Sequence, residues 1–373
     1  MDLKNIDCRH FKGDKPCRFS QNKMCLPFQN QDCPAFEPIE KMTLIIKLGA
    51  LGDVLRTTTL LPALKKNDPH GSIVWLTSPA AVPLLENSGV YKVLPWNLDS
   101  VLWAENVQWN RVISLDKEEG PTTLASRARA SRRYGFGRNK HGLLIPLSRA
   151  SEYLFLLGID DQEKFRINKK TYPHLIAEAC DLEWGPNPYV LNLSEKEINW
   201  GNSIIPNSKE HPHIGLNVGS GEAFAGKKWP MENFVKLAQQ LTNEGFVPVF
   251  LGGAKEKDLY EKLKNEGKAP GLFPGCEFSL REFMAIVSKL KAMVAGDTLA
   301  MHIGIALGVW QVTLFGSTTE REIEFYGKGE ALVENIPCAP CYKRVCPTKE
   351  ECMSKISVER VFEAIKRGLN NRW

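Results

Sequence analysis

Two segments, one in each half of the chain, share a layout that few folds accommodate. Thr43-Leu-Ile-Ile-Lys-Leu-Gly-Ala-Leu-Gly-Asp-Val-Leu-Arg56 and His213-Ile-Gly-Leu-Asn-Val-Gly-Ser220, the latter followed by Gly226-Lys-Lys-Trp-Pro230, each read as a short apolar strand, a glycine turn and a helix start. Open α/β sheets bind ligands at such turns, outside the carboxyl ends of their strands. Two units of this kind predict two Rossmann-like domains facing a cleft. Asp53 opens the helix on one wall, and Lys227 and Lys228 precede the helix on the other.

The rest of the chain fits that frame. Its 373 residues suffice for two domains with their own cores, and 43% hydrophobic with 24% charged residues is the balance of a soluble globular protein. Residues 1–41 hold four cysteines without steady periodicity and read as a Cys-rich appendage. Strand and helix patterns alternate over 42–185, giving strands at 43–48, 72–77, 92–96 and 111–116 and helices at 53–66 and 79–87. A proline-bearing connection ends that domain. The alternation returns over 186–355, with strands at 213–218, 246–251, 292–296 and 311–315, and 356–373 closes the chain as a helix. No apolar run reaches the ~18 to 20 residues that span a bilayer, and the first eight residues lack the apolar core of a signal peptide. The expected location is the cytoplasm, with peripheral contact at the inner face of the cytoplasmic membrane.

A net charge of +5 does not point to nucleic acid. Within it, Arg127, Arg129, Arg132, Arg133, Arg138 and Lys140 form a run without acidic residues. This run is either a solvated helix face or an acceptor site for an anionic partner. Only Tyr134 and Phe136 are available there to stack bases, so no nucleic-acid partner is expected.

Three turns carry candidate chemistry. Gly49 and Gly52 permit a tight turn and close approach of a ligand, but their spacing is not the Gly-x-Gly-x-x-Gly of dinucleotide enzymes. Asp53 is either a helix cap or a general base projecting into the cleft. Lys227 and Lys228 stand before a helix N-terminus, where a phosphate is favoured. In Ala295-Gly-Asp-Thr-Leu-Ala-Met-His302 a strand ends at Asp297 and Thr298 opens the next helix. The turn either is a cap with a core histidine or cradles a second phosphate. Gly253, at a further strand end, offers backbone contact to a nucleoside or is only a tight turn.

Together, Lys47-Leu-Gly-Ala-Leu-Gly-Asp-Val-Leu-Arg-Thr57, Lys227-Lys-Trp-Pro230 and Gly296-Asp-Thr-Leu-Ala-Met-His302 resemble glycosyltransferase family 9, the ADP-heptose:lipopolysaccharide heptosyltransferases. The resemblance covers residues 42 to about 365. It implies a GT-B architecture with the acceptor on the first domain, the nucleotide sugar on the second, and a C-terminal helix that crosses back. It implies Asp53 as catalytic base of an inverting transfer, and Lys227, Lys228, Gly253, Asp297, Thr298 and His302 as donor-binding residues. The acceptor side falls to Gly49, Gly52 and Arg56, with Arg132 and Arg133 from the basic run. The implied partners are a nucleotide-sugar donor, ADP-heptose in the family, and an anionic glycolipid or glycan acceptor such as lipopolysaccharide core. Leu299 stands where the family commonly has glycine. Lys255, followed by Glu256, stands where some members have a glutamate for the ribose.

No Asp-x-Asp motif occurs, so no cofactor is expected for catalysis. The cysteines leave a structural question. Cys338, Cys341, Cys346 and Cys352 contain a Cys-x-x-Cys pair suited to zinc or an iron–sulfur cluster. Cys8, Cys17, Cys25 and Cys33, with eight, seven and seven intervening residues, are a weaker set. Disulfides and free thiols remain open for both. The alternatives for the whole chain are a transferase using another nucleotide sugar, or a redox or metal protein built on the cysteines.

Overall fold

The computed structural model describes residues 6–19, 33–206, 208, 210–219, 228–267, 269–346 and 351–370. The first unit founds a sheet of β1 (Met42–Ile46), β2 (Ser72–Thr77), β3 (Lys92–Pro95), β4 (Trp109–Ser114), β5 (Ala130–Arg138) and β6 (Leu144–Pro146), in spatial order β3-β2-β1-β4-β5-β6. All pairs are parallel except β5 with β6. The second unit founds a parallel sheet of β7 (His213–Asn217), β8 (Val247–Leu251), β9 (Ala292–Gly296), β10 (Trp310–Phe315) and β11 (Gly329–Val333), in order β11-β10-β9-β7-β8. Continuous apolar runs make this possible: β2, β7, β9 and β10 are buried along their whole length, as helix-covered parallel strands must be.

In each sheet the strand order reverses beside the founding strand, between β1 and β4 and between β7 and β9. A crevice opens at the carboxyl ends there. One hydrophobic cluster, with Ile45, Val54 and Leu55 from the first domain and Met284, Met301 and Ile303 from the second, joins the two domains. Two further clusters lie on the outer faces.

Local chemistry explains where elements differ from expectation. The helix expected over 53–66 is two helices, Leu51–Thr57 and Leu60–Asn67. Thr58 Oγ1 donates to the Leu55 carbonyl between them, offering the backbone an alternative to continuing. The segment read as a polar connection holds Tyr172–Ala179, where proline sits at the helix start, and Glu195–Ile204, where Ser194 and Glu197 form a reciprocal capping box. The basic run is not a helix face: most of it is β5.

The C-terminal helix, Val358–Asn370, corrects an expectation. It does not cross back. Val361, Phe362, Ala364 and Ile365 are buried in one cluster with Ile214, Val294 and Trp310 of the second sheet, and Trp310 Nε1 donates to the Ala364 carbonyl at 3.1 Å. The described part of the appendage docks at the amino end of the first sheet, where Arg9 Nη2 donates to the His70 carbonyl and to Ser72 Oγ, both at 3.2 Å. Among the described residues no helix is long and apolar enough to cross a membrane.

Candidate active site

The helix Leu51–Thr57 begins where β1 ends, and its first turn separates two cavities. Leu51 lines one of about 510 Å³ on the second domain, together with Asn217, Gly219, Gly253, Glu256, Asp297, Thr298 and Leu299. Asp53, two residues on, lines one of about 730 Å³ on the first domain, with Lys47, Arg56, Asp116, Lys117, Lys164, Tyr172 and Glu322. The helix is capped by Ala50, and Asp53 sits inside the first turn without a capping bond, so the cap reading of Asp53 is set aside.

Two cations hold the Asp53 carboxylate. Arg56 Nη2 is 2.9 Å from Oδ1, and Lys47 Nζ is 4.0 Å from Oδ2. Lys47 is buried and tied at 2.5 Å to Asp116 Oδ1 and to the Gly49 carbonyl, while Asp116 Oδ2 accepts the Leu48 N–H. Burial works against the Lys47 ammonium, but Tyr172, Asp116 and Asp53 outweigh it, so its pKa lies above the usual lysine value and the charge is kept. Across the cavity, burial and the neighbouring Lys164 ammonium push the Lys117 pKa down. Two crowded cations of this kind are relieved by an anion.

In the second-domain cavity, the Gly253 N–H donates to Glu256 Oε2 at 2.9 Å, so this backbone group orients Glu256 toward the cavity floor by Gly219. Thr298 caps the helix Leu299–Ala306 with no side-chain bond, and its buried Oγ1 has no hydrogen-bond partner among the described residues. Thr298, Leu299 and Ala300 line the same cavity, and the first N–H groups of a helix have no intrahelical acceptor.

Several expectations change. Gly52 is not among the residues lining the first-domain cavity: a Cβ there would lie 2.5 Å from His302 Cδ2, so the glycine lets the first domain's backbone close on the second domain's histidine. His302 is buried between Gly52 and Tyr189, at the domain contact rather than in the wall of the second-domain cavity. Arg132 and Arg133 lie near the amino end of β5, opposite the middle of β4 and away from the cavities. Arg133 donates to the carbonyls of Ala125, Ala128 and Ala130, ending the preceding helix. Lys228 is exposed beside buried Trp229, and Lys227 lies outside the described residues. Gly49 lines the first-domain cavity. Lys47, Asp116, Lys117, Lys164, Tyr172 and Glu322 were not singled out from sequence.

None of the described cysteines is in a disulfide, and among the described residues no three His, Cys, Asp or Glu side chains form a group able to hold a metal. Burial first, with Cys346 and Cys338 nearby, raises the Cys352 thiol. Cys25 of the other set lies outside the described residues.

Residues 108–351 match the model of glycosyltransferase family 9 (heptosyltransferase). The chain belongs to this family. It is 32% identical over 133 residues to lipopolysaccharide heptosyltransferase 2 of Salmonella typhimurium, covering 35% of this chain and 38% of that protein. It is 23% identical over 352 residues to lipopolysaccharide heptosyltransferase 1 of Campylobacter coli, covering 86% of this chain and 97% of that one. For the Salmonella protein and two other curated relatives, the match spans less than half the relative's length, at 38%, 46% and 42%. The fold is that of the Escherichia coli ADP-heptose lipopolysaccharide heptosyltransferase II structure, with a TM-score of 0.64 at 19% identity over 89% of this chain and 99% of that one. The fold class is therefore the α/β GT-B architecture of family 9.

Proposed function

We propose that this protein is an inverting heptosyltransferase that moves a heptose from ADP-heptose to an anionic glycan acceptor of the lipopolysaccharide core. The observation that carries the reading is the pair Leu51 and Asp53, which put one helix turn at the wall of both cavities. An acceptor hydroxyl in the first-domain cavity gives its proton to Asp53 as its oxygen bonds the anomeric carbon. The bond from that carbon to the donor phosphate breaks on the opposite face, inverting the centre. Charge on the departing diphosphate is met by the N–H groups at Leu299 and Ala300, with Thr298 Oγ1, and by Lys227 and Lys228, which precede the helix Met231–Asn243 in sequence. Glu256, rather than Lys255, takes the ribose hydroxyls. Gly253 supports this indirectly by fixing that carboxylate.

Lys117 and Lys164 take over the anion-binding role expected of Arg132 and Arg133. Lys117→Ala or Lys164→Ala should raise the acceptor KM about 10-fold with donor affinity unchanged, a loss of one charge-assisted contact. An unchanged KM in both variants would remove the anion from this cavity. Peripheral contact with the inner membrane face follows if the acceptor is a glycolipid. The donor is tested by calorimetry with ADP-heptose, UDP-sugars and GDP-sugars side by side. ADP-heptose should bind at least about 10-fold more tightly than the others, and Glu256→Ala should weaken it about 10-fold. Tighter binding of a UDP- or GDP-sugar would replace the donor.

A further inference from the structure

Arg56 leaves the same helix as Asp53, one turn later, and its side chain is only 11% exposed. Its Nη2 reaches Asp53 at 2.9 Å, its Nη1 lies 3.7 Å from Glu322 Oε2, and its Cζ stands 3.7 Å over the Tyr172 ring centroid. Glu322 comes from the second domain, yet it is fixed on the first: its carbonyl accepts the Tyr172 N–H at 2.9 Å, and Lys164 Nζ lies 3.6 Å from Oε1. The guanidinium thus lies between two carboxylates and over a ring, in closest contact with Asp53, and its buried Nε has no hydrogen-bond partner among the described residues. Without it, Asp53 would keep only the 4.0 Å approach of Lys47, whose shorter contacts go to Asp116 and Gly49.

We propose that Arg56 is a positioning residue for the general base, anchored from the second domain by Glu322, rather than an acceptor ligand. Stacked on Tyr172 and held by Glu322, it fixes the rotamer in which the Asp53 carboxylate meets the acceptor hydroxyl. The base is therefore aligned only when the two domains are engaged. This inference rests on the reading of Asp53 as base.

Steady-state kinetics of Arg56→Gln, Arg56→Lys and Glu322→Gln, with ADP calorimetry and melting temperatures, test it. Arg56→Gln should lower kcat about 100-fold, the scale of a misplaced reacting group, with acceptor KM within about 3-fold. ADP affinity should not change. Arg56→Lys, which keeps the charge but not the fork, should recover part of the loss. Glu322→Gln should lower kcat about 10-fold through Arg56. Unchanged kcat with a raised acceptor KM would make Arg56 an acceptor ligand and overturn the proposal. So would a kcat loss matched by lost ADP binding and a lower melting temperature, which would make it structural. Asp53→Asn separates the two readings: if it stays active, the base assignment fails, whereas an inactive Asp53→Asn with fully active Arg56 variants sinks the positioning role alone.

Discussion

At Gly52 a single hydrogen in place of a methyl decides whether the two domains can meet. An alanine Cβ would stand 2.5 Å from His302 Cδ2, closer than packed atoms come, so ring or backbone must shift. Gly52→Ala should lower stability by about 1–3 kcal/mol, read as a drop in melting temperature, and His302→Ala in the same chain should restore part of it. Additive losses in the double variant would mean that the two residues do not share the contact. The sequence exposed Gly52 and His302 as parts of motifs, but not that each explains the other, because they are 250 positions apart and meet only through the domain contact. Asp53 was legible because a strand, a glycine turn and a helix start are local signals. Lys164, Tyr172 and Glu322 carried no local signal, and Asp116 became visible only once β4 was seen beside β1.

Elements repeat the lesson on a larger scale. The helix Glu195–Ile204 lies within a stretch rich in prolines, yet Ser194 and Glu197 spell its start. It is held to the helix Leu280–Val287 by Arg281, whose Nε and Nη2 are 2.6 and 2.7 Å from the Glu197 carboxylate. Arg281 also reaches the Pro83 carbonyl of the first domain. Hydrogen bonds from Arg281 and Ser194 pull the Glu197 pKa down to about 2. A carboxylate depressed in the folded state adds stability above its unfolded pKa and loses it as the pH falls toward the folded value. Glu197→Gln should therefore lower the melting temperature at pH 7, and its difference from the parent should shrink as the pH falls below about 4. A difference that stays constant from pH 7 to pH 3 would contradict the role of that charge. By contrast, the basic run misled because charge density in sequence says nothing of direction. As strand β5 it splits its arginines between solvent, a helix end and the hairpin, with Arg138 donating to the Gly142 and Lys117 carbonyls.

For the whole molecule, the two founding strands were the readable part, since continuous apolar runs specify buried parallel strands wherever they occur. The strand orders, which put both crevices at the β1/β4 and β7/β9 reversals, follow from packing of distant segments and were implied only through the family resemblance. The C-terminal helix shows the limit of that resemblance, because its apolar stripe, with Gly368 against Trp310, fits the outer face of its own domain. What remains is a cleft with one cavity on each sheet and one helix turn between them. The central claim is that Asp53 takes the acceptor proton across that turn. Its most direct test is transfer from ADP-heptose to a lipopolysaccharide-core acceptor, followed by mass spectrometry, for the parent and Asp53→Asn, with ADP binding measured on the same samples. The account predicts transfer by the parent, a fall of about 10² to 10⁴-fold in the variant, and equal ADP affinity in both. Transfer at the parent rate by Asp53→Asn would contradict it.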